Sequence, residues 1–94
     1  MRLGQKEQQE IKRIIQEIFG DVDIYIFGSQ LDSSKRGGDV DIFLQLNTNC
    51  ADIRVKRAKA KMLLEEKLLR PVDIVVDKNA SALIKKEALQ GVKL

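Results

Sequence analysis

The chain contains no histidine and no tryptophan, a single cysteine and a single proline. Each shortage excludes something. Without histidine there is no imidazole for general acid–base work, no Ser-His or Cys-His nucleophile pair, and no imidazole metal ligand. A zinc site has little left to build on, because Cys50 stands alone. A single cysteine also forbids an internal disulfide, as expected of a reducing compartment. No window approaches the roughly 18 apolar residues of a membrane span. The stretch from Met1 to Gln9 is too polar for a signal peptide. The expected setting is therefore the cytoplasm, away from membranes. Any chemistry has to run on carboxylates, lysines, hydroxyls and bound cations.

What remains is an ordinary globular composition. Of the 94 residues, 44% are hydrophobic and 33% charged, which suits one folded domain over residues 1–94. A domain of this size buries only about 60–65% of its unfolded surface. Its core is thin, and a partner surface can complete it. The formal net charge is +3, which is compatible with handling phosphates or nucleic acid but is too small to decide the matter.

Hydrophobic periodicity orders the elements. Ile11, Ile14, Ile15 and Ile18 fall at helical spacing in a segment from about Gln5 to Phe19, and Gly20 can cap it. Val22 to Phe27 reads as a strand, and Gly28-Ser29 interrupts it. Gln30 to Arg36 is polar and turn-like, and Gly37-Gly38 is a flexible break. Val40 to Leu46 alternates as a second strand. Asp52 to Leu69 is a longer helix, with Val55, Ala58, Met62 and Leu69 as its apolar stripe, stopped by Pro71. Val72 to Val76 is a third strand. Asn79 or Ser81 can cap a last helix through Leu89, and Val92 to Leu94 can begin a fourth strand. The order α-β-β-α-β-α predicts an α/β (α+β) domain with a small mixed sheet. The strand-helix-strand unit from Val40 to Val76 suggests one parallel crossover.

The polar residues fall into a pattern with chemical meaning. Side chains alternate across a strand, so Asp39 and Asp41 face the same way, about 7 Å apart along the backbone. Two carboxylates at that spacing can reach one Mg²⁺ or a pair of ions. In the third strand Asp73 also points away from the apolar face. Three carboxylates gathered on neighbouring strands repel unless a cation sits between them. Gly28-Ser29 directly follows a strand, where glycine admits a phosphate to the backbone and a hydroxyl can hold it. A phosphate-binding corner beside a carboxylate metal site suits phosphoryl or nucleotidyl transfer, which depends on positioning and charge neutralisation. Taken singly, a Gly-Ser pair is usually a turn and an Asp-x-Asp is usually solvated surface. Their order on matching elements is what gives the pattern weight.

Phe27-Gly28-Ser29, nine residues, and then Asp39-Val40-Asp41-Ile42-Phe43-Leu44 resemble the signature of the DNA polymerase β-type nucleotidyltransferase superfamily. The likeness is to its minimal nucleotidyltransferases, small prokaryotic proteins often paired with a HEPN-domain toxin. Arg70-Pro71-Val72-Asp73-Ile74-Val75-Val76 resembles the strand that bears the third carboxylate. The resemblance implies a nucleotidyltransferase fold in which Gly28 and Ser29 bind the triphosphate of ATP. It implies that Asp39, Asp41 and Asp73 hold Mg²⁺ and act in catalysis, Asp73 also deprotonating the acceptor hydroxyl. It further implies transfer of AMP to a hydroxyl, expected to be a tyrosine, of a HEPN toxin for which this protein is the antitoxin.

Two other readings stand beside it. The protein can be an antitoxin that masks its partner without catalysis. Alternatively, the basic run Arg54, Lys56, Arg57, Lys59 and Lys61 can belong to a domain that binds or modifies nucleic acid, although such a run is usually a solvated helix face. Aromatics for base stacking are few: Tyr25, Phe19, Phe27 and Phe43.

Overall fold

The structure is a computed structural model that describes residues 3–28, 39–47 and 51–94. Helix α1 spans Gln5–Phe19, strand β1 Val22–Phe27, β2 Val40–Leu46, helix α2 Ile53–Leu68 and β3 Val72–Val76. A 3-10 turn at Asp77–Asn79 leads to α3 at Ala82–Leu89 and a short β4 at Val92–Lys93. The four strands form one mixed sheet in the order β3-β2-β1-β4. Strand β1 runs antiparallel to both β2 and β4, whereas β2 and β3 are parallel. The expected crossover through α2 and the expected fourth strand are both present. Asp77 sits just past β3, where its Oδ1 accepts a bond from the Leu46 N–H at 3.5 Å.

Local chemistry explains the boundaries. The Glu7 carboxylate accepts from the Gly4 N–H at 3.1 Å and closes the start of α1. Gly20 ends α1 with φ 81, its N–H donating to the Gln16 carbonyl at 2.9 Å. Ser81 caps α3 by accepting from the Ile84 N–H at 3.2 Å.

One face of the sheet carries Val22, Ile24, Ile26, Val40, Ile42, Leu44, Val72 and Ile74, all buried with Ile11, Ile14, Ile15 and Phe19 of α1. Each such side chain contributes about 1.5–3 kcal/mol relative to exposure, so this layer dominates the stability. The opposite face carries Asp23, Tyr25, Asp41 and Asp73 in the alternate positions. Phe43 is the exception there: it is buried, with its ring 6.1 Å from that of Tyr25. Among the described residues no helix is long and apolar enough to cross a membrane.

The apolar stripe expected for α2 is corrected. Val55, Met62 and Leu69 are exposed at 67%, 59% and 86%, and Ala58 is exposed as well. The buried face is Ala60, Leu64 and Leu68. Ala60 and Met62 lie about 200° apart around the helix, so choosing one stripe excludes the other. Both stripes fit a 3.6-residue period, and periodicity cannot choose between them. Small Ala60 permits close approach, and Leu64 and Leu68 lie one turn apart on the packed side. Leu69 leaves the helix in the left-handed region at φ 56, so its side chain no longer follows the helical stripe.

Candidate functional site

The site begins with the pairing of β2 and β3. The Val40 N–H donates to the Pro71 carbonyl at 2.9 Å, which starts the parallel ladder. Proline suits this position because the bond uses only its carbonyl. The Val72 N–H donates to Glu65 Oε2 of α2 at 2.9 Å. These two bonds set a register in which Val40 lies beside Val72 and Asp41 beside Asp73. Registered partners on adjacent strands share a face and stand about 4.8 Å apart. The carboxyl-bearing positions 41 and 73 are therefore direct neighbours on the face opposite the core. Asp41 is half-buried, Asp73 is exposed, and Asp39, also exposed, immediately precedes β2.

The other flank is the end of β1. Phe27 pairs with Asp41, and Gly28 follows with φ 77. A β-carbon at Gly28 would collide with the Asp41 carboxylate. Glycine is thus required twice here, for the left-handed backbone and for the space that Asp41 occupies. Gly28, Asp41 and Asp73 consequently run in a line across β1, β2 and β3. Ser29 lies outside the described residues, as do Lys35, Arg36 and Cys50.

Asp39, Asp41 and Asp73 cluster at one end of one face, where like charges oppose one another. Among the described residues no three Asp, Glu or Cys groups converge tightly enough to form a ready-made metal centre. An oxygen-only donor set at the mouth of a glycine cradle nevertheless suits Mg²⁺, which takes a few carboxylates and completes its shell with water or phosphate oxygens. On α1, a 2.7 Å hydrogen bond from Arg13 holds the Glu10 carboxyl below the usual carboxylate value.

The sequence reading of the basic run of α2 as a solvated helix face holds for Arg54, Arg57, Lys59 and Lys61, all exposed, but it did not anticipate that three of these cations share a groove. Arg54, Arg57 and Lys61 line a groove of about 220 Å³ together with Ala58, Ile74 and Asp73. The available signal was the spacing i, i+3, i+7, which puts these three cations on one side of the helix.

Comparison with known proteins accords with this geometry. The family model for the nucleotidyltransferase domain matches residues 9–94. No curated protein sequence matches the chain. Among solved structures, the fold is similar to a complex described as a tri-AMPylated Shewanella oneidensis HEPN toxin with its MNT antitoxin. The identity is 23%, the TM-score 0.74, and the match covers 95% of this chain and 69% of that one. A toxin–antitoxin structure with AMP-PNP superposes with a TM-score of 0.77 at 22% identity, covering 92% of this chain and 70% of that one. The MntA-HepT toxin–antitoxin structure gives 0.74 at 22% identity, covering 96% and 70%.

Proposed function

Because the chain belongs to the nucleotidyltransferase domain family, we propose that it is a Mg²⁺-dependent enzyme that transfers AMP from ATP to a hydroxyl of a HEPN-type toxin and so serves as its antitoxin. The observation that carries this reading is the line from Gly28 through Asp41 to Asp73. It sets Gly28, Asp41 and Asp73 side by side at adjacent strands, which supports reading them as a phosphate contact, a metal ligand and a base.

The roles follow from position. Gly28, with Ser29, holds the triphosphate of ATP by close backbone approach. Asp39, Asp41 and Asp73 are the residues that hold Mg²⁺. When bound, the ion neutralises the charge that builds on the phosphates during transfer. Asp73, on the outer strand and exposed, receives the proton of the acceptor hydroxyl, expected to be that of a tyrosine. The hydroxyl oxygen bonds to the α-phosphorus, the bond between the α-phosphorus and the bridging oxygen breaks, and pyrophosphate leaves with that electron pair. Positioning and electrostatics provide most of the rate, as in other phosphoryl transfers.

The neighbours named above support this assignment. One has AMP groups on the toxin and another holds an ATP analogue. Three AMP groups on one toxin also make successive transfer to a single partner part of the reading. The pair is expected to act in the cytoplasm.

The test is transfer from α-labelled ATP in Mg²⁺ to the HEPN-type partner, comparing the protein with its Asp39→Asn/Asp41→Asn variant. Label that appears on the partner and vanishes with the variant supports the enzyme. A tight complex with no label from either protein overturns catalysis and leaves neutralisation by binding.

A further inference from the structure

The groove beside Asp73 has no part in the first transfer as described. Its cations are exposed, and among the described residues Arg54, Arg57 and Lys61 form no ion pair. They help line a groove of about 220 Å³, well above the roughly 10–15 Å³ that a single water needs by the same measure. That space suits a polyatomic anion better than a monatomic ion. The helix itself makes the arrangement costly. Arg54 and Arg57 stand near the start of α2, whose first turn carries no acidic residue and whose N-cap Asp52 makes no side-chain capping bond. Cations at a helix N-terminus oppose its dipole, a conflict that a bound anion relieves. Local rules broken in this way mark functional positions more often than structural ones.

The location selects the ligand. The groove opens at β3, the outer strand of the sheet, and shares Asp73 with the line that ends there. Gly28, at the end of β1, lies two strands away, about 10 Å at the usual strand spacing. The phosphates held at Gly28 lie away from these cations, with only the α-phosphate reaching toward Asp73, whereas an acceptor approaching Asp73 passes over them. Among the described residues no aromatic side chain lines the groove, so its described lining offers phosphate recognition without base stacking. Two guanidinium forks and an ammonium suit phosphate oxygens.

We propose that Arg54, Arg57 and Lys61 form an acceptor-side subsite for the phosphate group of a nucleotide already attached to the partner. This rests on the functional reading above. After one AMP has been transferred, its phosphodiester sits in the groove and brings a ribose hydroxyl of the attached nucleotide to Asp73. That oxygen bonds to the α-phosphorus of a second ATP, its proton passes to Asp73, and pyrophosphate leaves with the electrons of the broken anhydride bond. The first transfer, to a protein hydroxyl without phosphate, does not use the subsite. The groove therefore controls how many nucleotides are added, not whether the first is.

The test is the Arg54→Ala/Arg57→Ala/Lys61→Ala variant, whose altered side chains are all exposed. Binding of the trinucleotide ApApA is measured by fluorescence anisotropy for both proteins. Adducts on the HEPN-type partner are counted by intact-mass spectrometry over time. Supporting results are ApApA binding weakened about tenfold or more in the variant, with the first adduct forming at its former rate and later adducts lost. Equal ApApA affinity, or an unchanged adduct ladder, overturns the proposal. So does equal slowing of the first and later additions, which would place the cations in general partner docking. Affinity that keeps rising with oligoadenylate length beyond three nucleotides also overturns it, in favour of a nucleic-acid surface. If the unaltered protein labels no partner, the functional reading fails, and the ApApA comparison still decides whether the anion subsite exists.

Discussion

Gly28 and Asp41 are fitted to one another: the glycine has φ 77, and a β-carbon on it would overlap the Asp41 carboxylate. The glycine of the Gly-Ser pair is therefore more than a place for phosphate to approach. It is also the wall against which a carboxylate of the site is seated.

Gly28→Ala is expected to damage the site more than the fold. A left-handed alanine costs roughly 1–2 kcal/mol, and the new methyl must displace Asp41. The cost falls at a strand end outside the core, so the domain still folds, with melting lowered by about 4–8 °C per kcal/mol. Transfer of α-labelled AMP is expected to fall about 100-fold or more, since a 1 Å misplacement can cost about that much. Wild-type transfer with a lowered melting temperature would separate the glycine from the chemistry.

Asp39→Asn, Asp41→Asn and Asp73→Asn each change a position outside the hydrophobic core, so the domain is expected to remain folded. Transfer is expected to drop by about 10²–10³ for each, the size seen when one group stabilising a developing charge is removed. Chelation of divalent cations is expected to silence the unaltered protein, with recovery on adding Mg²⁺. Activity that persists in excess chelator would remove the metal from the mechanism.

Much of this was legible in the sequence because the decisive signals are local. A period of two over Val40–Leu46 fixes which face Asp41 takes, and Gly28 follows directly on a strand. The parallel crossover follows from the strand-helix-strand order, whereas the register that sets Asp41 beside Asp73 comes from the ladder begun at Val40 and Pro71. The packed face of α2 was not legible. Apolar residues lie around most of that helix, and the choice between Met62 and Leu64 is made by α1 and the sheet, far away in sequence. The groove cations were hidden similarly. Exposed arginines and lysines on a helix look alike until the fold sets some of them beside Asp73.

The corrected face of α2 can be tested by contrast. Leu64 is fully buried and Met62 is 59% exposed. Leu64→Ala is expected to cost about 2–5 kcal/mol, the range for core leucines, whereas Met62→Ala is expected to stay within about 0.5 kcal/mol. Chemical denaturation with midpoints and slopes compared across the three proteins measures both. A larger loss for Met62→Ala would restore the stripe inferred from periodicity.

Glu65 is the least obvious support of the site. It lies on α2, yet its Oε2 accepts the Val72 N–H at 2.9 Å and so holds the first residue of β3, next to Asp73. The bond is partly buried, and a buried donor left without an acceptor costs about 1–3 kcal/mol. Glu65→Ala is therefore expected to lower the melting temperature and to loosen β3 where the parallel ladder with β2 begins. Glu65→Gln keeps an amide oxygen in the same place and is expected to retain most of the stability. If the bond also positions Asp73, the alanine variant will lose AMP transfer well beyond its unfolded fraction at the assay temperature, and the glutamine variant will recover most of it. Hydrogen exchange at the Val72 amide provides the structural readout, with protection expected to fall in the alanine variant and to survive in the glutamine variant. Full transfer by a destabilised Glu65→Ala protein would confine Glu65 to the fold.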